Sequence, residues 1–150
     1  MATTMSGERI LSATRETVWA KLNDPEVLKA CISGCETLVV TGENEFQAVV
    51  TNKIGPVKAR FKGKVRLTDL DPPRNYKLSG EGDGGIAGFA KENVNVELSE
   101  REEGTFLIYN VEAQIGGKLA QLGQRLINGT AKKLADEFFA RFAEIGRAHV

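Results

Sequence analysis

Histidine and cysteine are almost missing from this sequence: among its 150 residues there is one histidine, His149, and two cysteines, Cys31 and Cys35. A Ser-His or Cys-His nucleophile needs a base held beside it, and a histidine one residue from the end of the chain sits where order is least expected. The cysteines have no second Cys or His pair to complete a zinc ligand set, and they read as free thiols suited to a reducing cytoplasm. Long apolar runs are missing too. None approaches the ~18 residues that span a bilayer, and the N-terminus lacks the basic and apolar regions of a secretory signal, so neither export nor an integral membrane protein is expected. Charge of one sign is also lacking, since 20 Lys plus Arg balance 20 Asp plus Glu. With no global field to draw it, no nucleic-acid partner is expected, and any electrostatic partner must be met by a local patch.

What is present is an ordinary globular composition, 41% apolar and 27% charged, at the length of one domain. Residues Met5 to Ala13 alternate loosely and predict a first strand. Thr14 then caps a helix carrying Val18, Trp19 and Leu22 on one face. Asp24-Pro25-Glu26, a cap followed by proline at the first helical position, predicts a second short helix with Val27, Leu28 and Cys31 turned inward, ended by a Ser33-Gly34 turn. From Glu36 to Ile115 the period is two, broken by turn signals at Gly42-Glu43-Asn44, Gly55-Pro56, Asp71-Pro72-Pro73 and Glu102-Glu103-Gly104, which predicts six consecutive antiparallel strands. Gly116 and Gly117 close the last one. Lys118 to about Ile145 then reads as one uninterrupted helix, roughly 40 Å long at ~1.5 Å per residue, with Leu119, Leu122, Leu126, Leu134, Phe138, Phe142 and Ile145 on one stripe. The order predicts an α+β helix-grip domain over residues 1–150: a seven-stranded curved antiparallel sheet wrapped around a long C-terminal helix, with two short helices after the first strand.

Such a sheet and helix enclose an apolar space, the kind of place where small-molecule sites form. Leu28, Ile32, Phe61, Leu78, Tyr109, Leu119, Leu122 and Leu126 are expected to border it. Gly123 lies in the expected helix interior, where glycine costs roughly 1 kcal/mol relative to alanine, and close approach of a flat ligand or of a neighbouring backbone would each account for it. On the strand from Val57 to Leu70 the cations Lys58, Arg60, Lys62, Lys64 and Arg66 share one face. That face is either solvated beside cross-strand acidic partners or a docking surface for an acidic protein or anionic headgroups. Asp69 with Asp71 and Glu81 with Asp83 lie at predicted turns, where carboxylates are normally solvated, and general acid-base work is not expected of them. Gly80 to Gly85 is followed by a strand at Asn93 to Leu98, so it reads as a glycine-rich hairpin and not as a phosphate loop, which must open a helix. In the hairpin Gly85 to Lys91, Ile86 and Phe89 either enter a bilayer interface with Lys91 at headgroup level, or turn inward and close the cavity mouth.

The sequence resembles the carbon monoxide dehydrogenase G-subunit family within the START-like (SRPBCC) superfamily. The resemblance is carried in order by Val18 to Leu28, Gly34-Cys35-Glu36, Lys53 to Ala59, Gly80-Glu81-Gly82, Gly88-Phe89-Ala90-Lys91 and Ile115 to Gly123. Where the family usually has proline before the Gly-Cys pair, this chain has Ser33. Many members continue into a membrane-anchoring tail, whereas this sequence stops at Gly146-Arg147-Ala148-His149-Val150, so the anchor is either absent or beyond it. The resemblance implies a non-catalytic accessory protein for a molybdenum hydroxylase of the carbon monoxide dehydrogenase type, peripheral on the inner face of the cytoplasmic membrane. It also implies a quinone or lipid in the cavity, while no tightly required cofactor and no metal are expected because the available residues assemble neither a ligand cluster nor an activated nucleophile. The competing expectations are a START-like cyclase or dehydratase acting on an apolar substrate, and a recruitment module whose cavity is closed by side chains.

Overall fold

The computed structural model describes residues 1–148, so His149 lies outside the described residues. The chain forms β1 (Ala2–Leu11), α1 (Arg15–Leu22), α2 (Pro25–Cys31), β2 (Cys35–Gly42), β3 (Glu45–Ile54), β4 (Val57–Asp71), β5 (Asn75–Asp83), β6 (Phe89–Arg101), β7 (Gly104–Gly116), α3 (Lys118–Gln121) and α4 (Gln124–Ala148). The strands make one seven-stranded sheet in the order β1-β7-β6-β5-β4-β3-β2, every neighbouring pair antiparallel. Consecutive hairpins build β2 to β7, and β1 closes onto β7. This is the helix-grip arrangement the residue periodicities predict.

The helix starts follow local chemistry. The Thr14 hydroxyl accepts from the Thr17 N–H at 3.3 Å, and the Asp24 carboxylate accepts from the Glu26 N–H at 3.0 Å with Pro25 in the first turn. Gly34 leaves α2 at φ +77°, a backbone region that side chains with a Cβ rarely enter.

One expectation fails at the C-terminal end. The helix is not continuous from Lys118 to Ile145: Gly123 adopts φ +89° and separates α3 from α4. Its N–H donates to Ala120 O and its carbonyl accepts from Ile127 N–H, so this residue ends one helix and begins the next. A Cβ at Gly123 would meet nothing within 4 Å, so neither a neighbouring backbone nor any packed group requires the glycine. The left-handed conformation does. The break also resets the helical phase, burying Ile127 and leaving Leu126 37% exposed.

Two ends of the interior are packed differently. Around Leu67, Tyr76, Val96, Leu98, Leu107 and Phe142, the side chains form a dense core. Trp19 meets Tyr76 edge-on at 5.2 Å, and Tyr109 stacks on Phe139 at 5.8 Å. The Arg9 guanidinium lies 5.0 Å from the Phe139 ring centre and pairs with Asp136 at 2.5 Å. At the other end, a smaller cluster of Ile54, Ile115, Leu119 and Ile127 closes the fold beneath α3. Between them one row of the sheet turns only small residues inward, Ala48, Gly63, Gly82 and Ala90.

Candidate functional site

The hollow follows from register. Pairing aligns Ala48, Gly63, Gly82, Ala90 and Ile115 in one row across β3, β4, β5, β6 and β7. Four successive strands therefore offer a methyl group or nothing toward α4. The helix answers with Thr130, Ala131 and Ala135, again small. A cavity of about 480 Å³ results, walled by apolar groups including Val50, Ile54, Phe61, Val65, Leu134 and Phe138. That volume lies within the roughly 300–1,000 Å³ usual for small-molecule sites.

Of the residues expected at this space, Ile32, Phe61 and Leu119 line it. Leu28, Leu78 and Tyr109 do not: they pack into the dense core. Tyr109 is held there by Gly7, whose missing side chain admits the ring, since a Cβ at Gly7 would fall 2.3 Å from the hydroxyl oxygen. Leu122 and Leu126 do not line the hollow: Leu122 packs against the Ile54, Ile115, Leu119 and Ile127 cluster at its end, Leu126 is turned out by the phase change at Gly123, and both border a groove on α4 with Arg125 and Lys133. Leu126 also leans over the β3–β4 turn, where a Cβ at Gly55 would come within 2.7 Å of its Cδ2. Gly123 itself is not among the lining residues.

Phe89 does not turn inward. The strand β6 begins at Phe89 rather than Asn93, because the Gly84–Gly88 turn needs only a short 3-10 segment, Gly85–Ala87. This start puts Phe89 on the outer face, its ring laid over Gly116 so closely that a Cβ there would lie 2.2 Å from Cε1. Ile86 at the turn is 83% exposed, and Phe89 is 45% exposed. Lys91 stands on the same outer face, opposite Glu81 and Gln114 in register.

The basic strand face is largely matched by acids. Arg60 pairs with Glu36 at 2.9 Å and Arg66 with Glu45 at 3.1 Å, and each arginine holds its partner carboxyl below the usual carboxylate range. Lys62 and Lys64 lie opposite Asp83 and Glu81, while Lys58 lies opposite Lys53.

Two features of the hollow are not visible in the periodicity. Ser33, the residue standing where proline is usual, forms a clasp: its hydroxyl donates to Glu137 Oε2 at 2.5 Å and accepts from Arg141 at 2.7 Å. Asn52 adds a hydrogen bond to the Ser33 carbonyl at 3.3 Å, so the α2–β2 turn is tied to both α4 and β3 at the cavity edge. The second is Glu92. It lies on the inward row Phe46, Val65, Gly80, Glu92, Ala113, and its side chain lines the cavity. It keeps accessible surface because the hollow lies in front of it, while the surrounding protein desolvates its carboxyl and pushes the pKa up from the ordinary carboxylate value. The inward series Ala90, Glu92, Val94, Val96, Leu98 contained the signal, but a strand started at Asn93 hides it.

Both thiols are free, Cys31 buried and Cys35 partly so, and burial pushes both above the ordinary thiol pKa. Among the described residues no group of three His, Cys, Asp or Glu side chains is placed to hold a metal ion, and no helix is long and apolar enough to cross a membrane.

The structure is similar to a conserved protein from Geobacillus kaustophilus, with 37% identity and a TM-score of 0.87 over 96% of this chain and 93% of that one. It is also similar in fold to proteins from Rhodobacter sphaeroides (20% identity, TM-score 0.72, 97% and 93% covered) and Rhizobium leguminosarum (14%, 0.72, 95% and 93%). No curated protein matches the sequence. The family model for the carbon monoxide dehydrogenase G subunit (CoxG) matches residues 7–145, and the chain belongs to that family.

Proposed function

We propose that this protein binds an apolar small molecule, a quinone or a lipid, in the hollow beneath α4. It would act as a non-catalytic accessory protein of a carbon monoxide dehydrogenase-type molybdenum hydroxylase at the cytoplasmic membrane. The observation that carries the reading is the row of alanines and glycines that keeps about 480 Å³ open inside an otherwise aromatic-packed interior. Left-over space of this size is costly, because cavity linings lose their dispersion partners, and a ligand restores them. The family's description supports the choice of partner enzyme.

Organic extraction of the purified protein followed by mass spectrometry tests the ligand. A stoichiometric quinone or lipid is the expected result, and a clean extract together with failure to take up either from micelles would overturn the reading. Ala131→Phe, which projects a ring into the hollow, is expected to abolish uptake while the fold persists.

Membrane contact is supported by the exposed turn. Ile86 is 83% exposed beside Phe89 and Lys91, and burying an isoleucine side chain in acyl chains contributes roughly 1.5–3 kcal/mol. Ile86→Ser is the cleaner variant, since Phe89 also covers Gly116 and its loss would disturb the sheet. Vesicle sedimentation should fall for Ile86→Ser with an unchanged melting temperature. Equal sedimentation would remove the turn from the account.

A further inference from the structure

Glu92 is anomalous for a position that only has to be filled. Its neighbours across the sheet are Gly80 on β5 and Ala113 on β7. A Cβ at Gly80 would lie 3.4 Å from both Cγ and Oε1 of Glu92, so the absent side chain at 80 leaves the space in which the carboxyl lies. Among the described residues the carboxyl has no hydrogen-bond donor and no ion-pair partner. The carboxyl faces the hollow, and the surrounding protein desolvates it without offering a partner, whereas leucine or valine would fill the same position without that cost.

We propose that Glu92 is the polar anchor of the hollow, selecting a neutral, mainly apolar ligand whose inner end carries a carbonyl-type hydrogen-bond acceptor. This inference rests on the apolar-ligand reading above and adds to it the chemistry of the ligand's buried end. Among the described residues the only charged ones lining the hollow are Glu92 and Glu81, while Glu137 and Arg141 stand at its edge, engaged with the Ser33 hydroxyl. From β4 the inward neighbour on this row is Val65, from β5 Gly80 and from β7 Ala113, while α4 presents Thr130, Ala131 and Ala135 to the hollow. The nearest acidic neighbour in the wall, Glu81, belongs to the outer row opposite Lys64. With no cation among the lining residues, desolvation raises the carboxyl's pKa and so shifts it toward its neutral form. A neutral carboxylic acid donates one O–H, which is what a ligand carbonyl accepts. A carboxylate can only accept, and would repel that oxygen.

Two probes of nearly equal size separate the possibilities: 2-acetylnaphthalene, which has the acceptor, and 2-ethylnaphthalene, which does not. Equilibrium dialysis from about pH 5 to pH 9 should show the wild type holding the ketone roughly tenfold tighter at the acid end, with the preference fading as the carboxyl ionises. Glu92→Gln keeps an N–H donor and should retain the preference at every pH. Glu92→Leu should bind both probes equally and stay folded. A ketone preference surviving in Glu92→Leu, no preference in the wild type at any pH, or tighter binding of 2-(aminomethyl)naphthalene than of the ketone would each overturn the anchor role while leaving the apolar site standing. Failure of all three proteins to bind either naphthalene would overturn the apolar-ligand reading itself, and this inference with it.

Discussion

The two halves of the interior use the same sheet and the same helix for opposite ends. Toward the start of β5 and the far end of α4, rings interlock: Tyr76 with Trp19, Tyr109 with Phe139, and Phe138 with Phe142. Further along the same strands, the inward positions become Gly80 and Gly82 on β5, Gly63 on β4, and Ala48 and Ala90 on β3 and β6. The dense half holds the fold, and it lets the hollow half stay under-packed. Stability and capacity are therefore separated along the strands, and substitutions should behave differently on either side of Val65.

The largest effect is expected in the dense half. Phe142 is 3% exposed within the aromatic cluster, and Phe142→Ala should cost about 3–5 kcal/mol in denaturant unfolding. A loss below about 1 kcal/mol would mean that the cluster is not the stabilising half. Next comes Glu92. Its carboxyl is raised in the folded state, so the folded protein binds the proton more tightly than the unfolded chain. Its contribution to stability is therefore fully present below the unfolded carboxyl pKa and is lost as pH rises through the folded value. Glu92→Leu should raise the melting temperature at pH 8 more than at acid pH, and should flatten that part of the pH profile. Parallel melting curves for wild type and variant from acid to alkaline pH would contradict this.

Smaller still is the clasp at the cavity edge. Ser33→Ala removes the hydroxyl that meets Glu137 and Arg141, and a loss of about 0.5–1.5 kcal/mol is expected, together with faster amide exchange at Gly34 and Cys35. The smallest change should be Gly82→Ala. A Cβ there would sit 3.6 Å from Phe61, ordinary contact, and replacing a strand glycine by alanine should stabilise by about 0.5–1 kcal/mol while reducing ligand uptake. A destabilising result would show that this wall has no room to spare, against the contrast with the dense half.

Much of the fold was legible because the residues state it locally. Thr14 and Asp24-Pro25 mark helix starts, and the alternation of lysines and arginines with Ala59, Phe61, Val65 and Leu67 fixes which face of β4 is wet. Glycines were harder to read. At Gly123 glycine signals a backbone sign change, whereas at Gly63 and Gly82 it leaves space, and sequence alone offers the same letter for both. The site was legible in part for the same reason. Ile32, Phe61 and Leu119 could be placed by face, but Leu28, Leu78 and Tyr109 face the same way from the packed end.

By itself the sequence determined the order of elements and the inward and outward faces of most strands. Those depend on neighbours within a few residues, where caps, turns and side-chain alternation act directly. Only the tertiary structure decided that Ala48, Gly63, Gly82 and Ala90 fall in one row, that Glu92 lies against Gly80, and that Ser33 meets Glu137 and Arg141. Each of these depends on the register between strands or on where α4 crosses them. A shift of one residue would turn every inward side chain outward, so the hollow and its carboxyl exist only once pairing has fixed which small residues stand side by side.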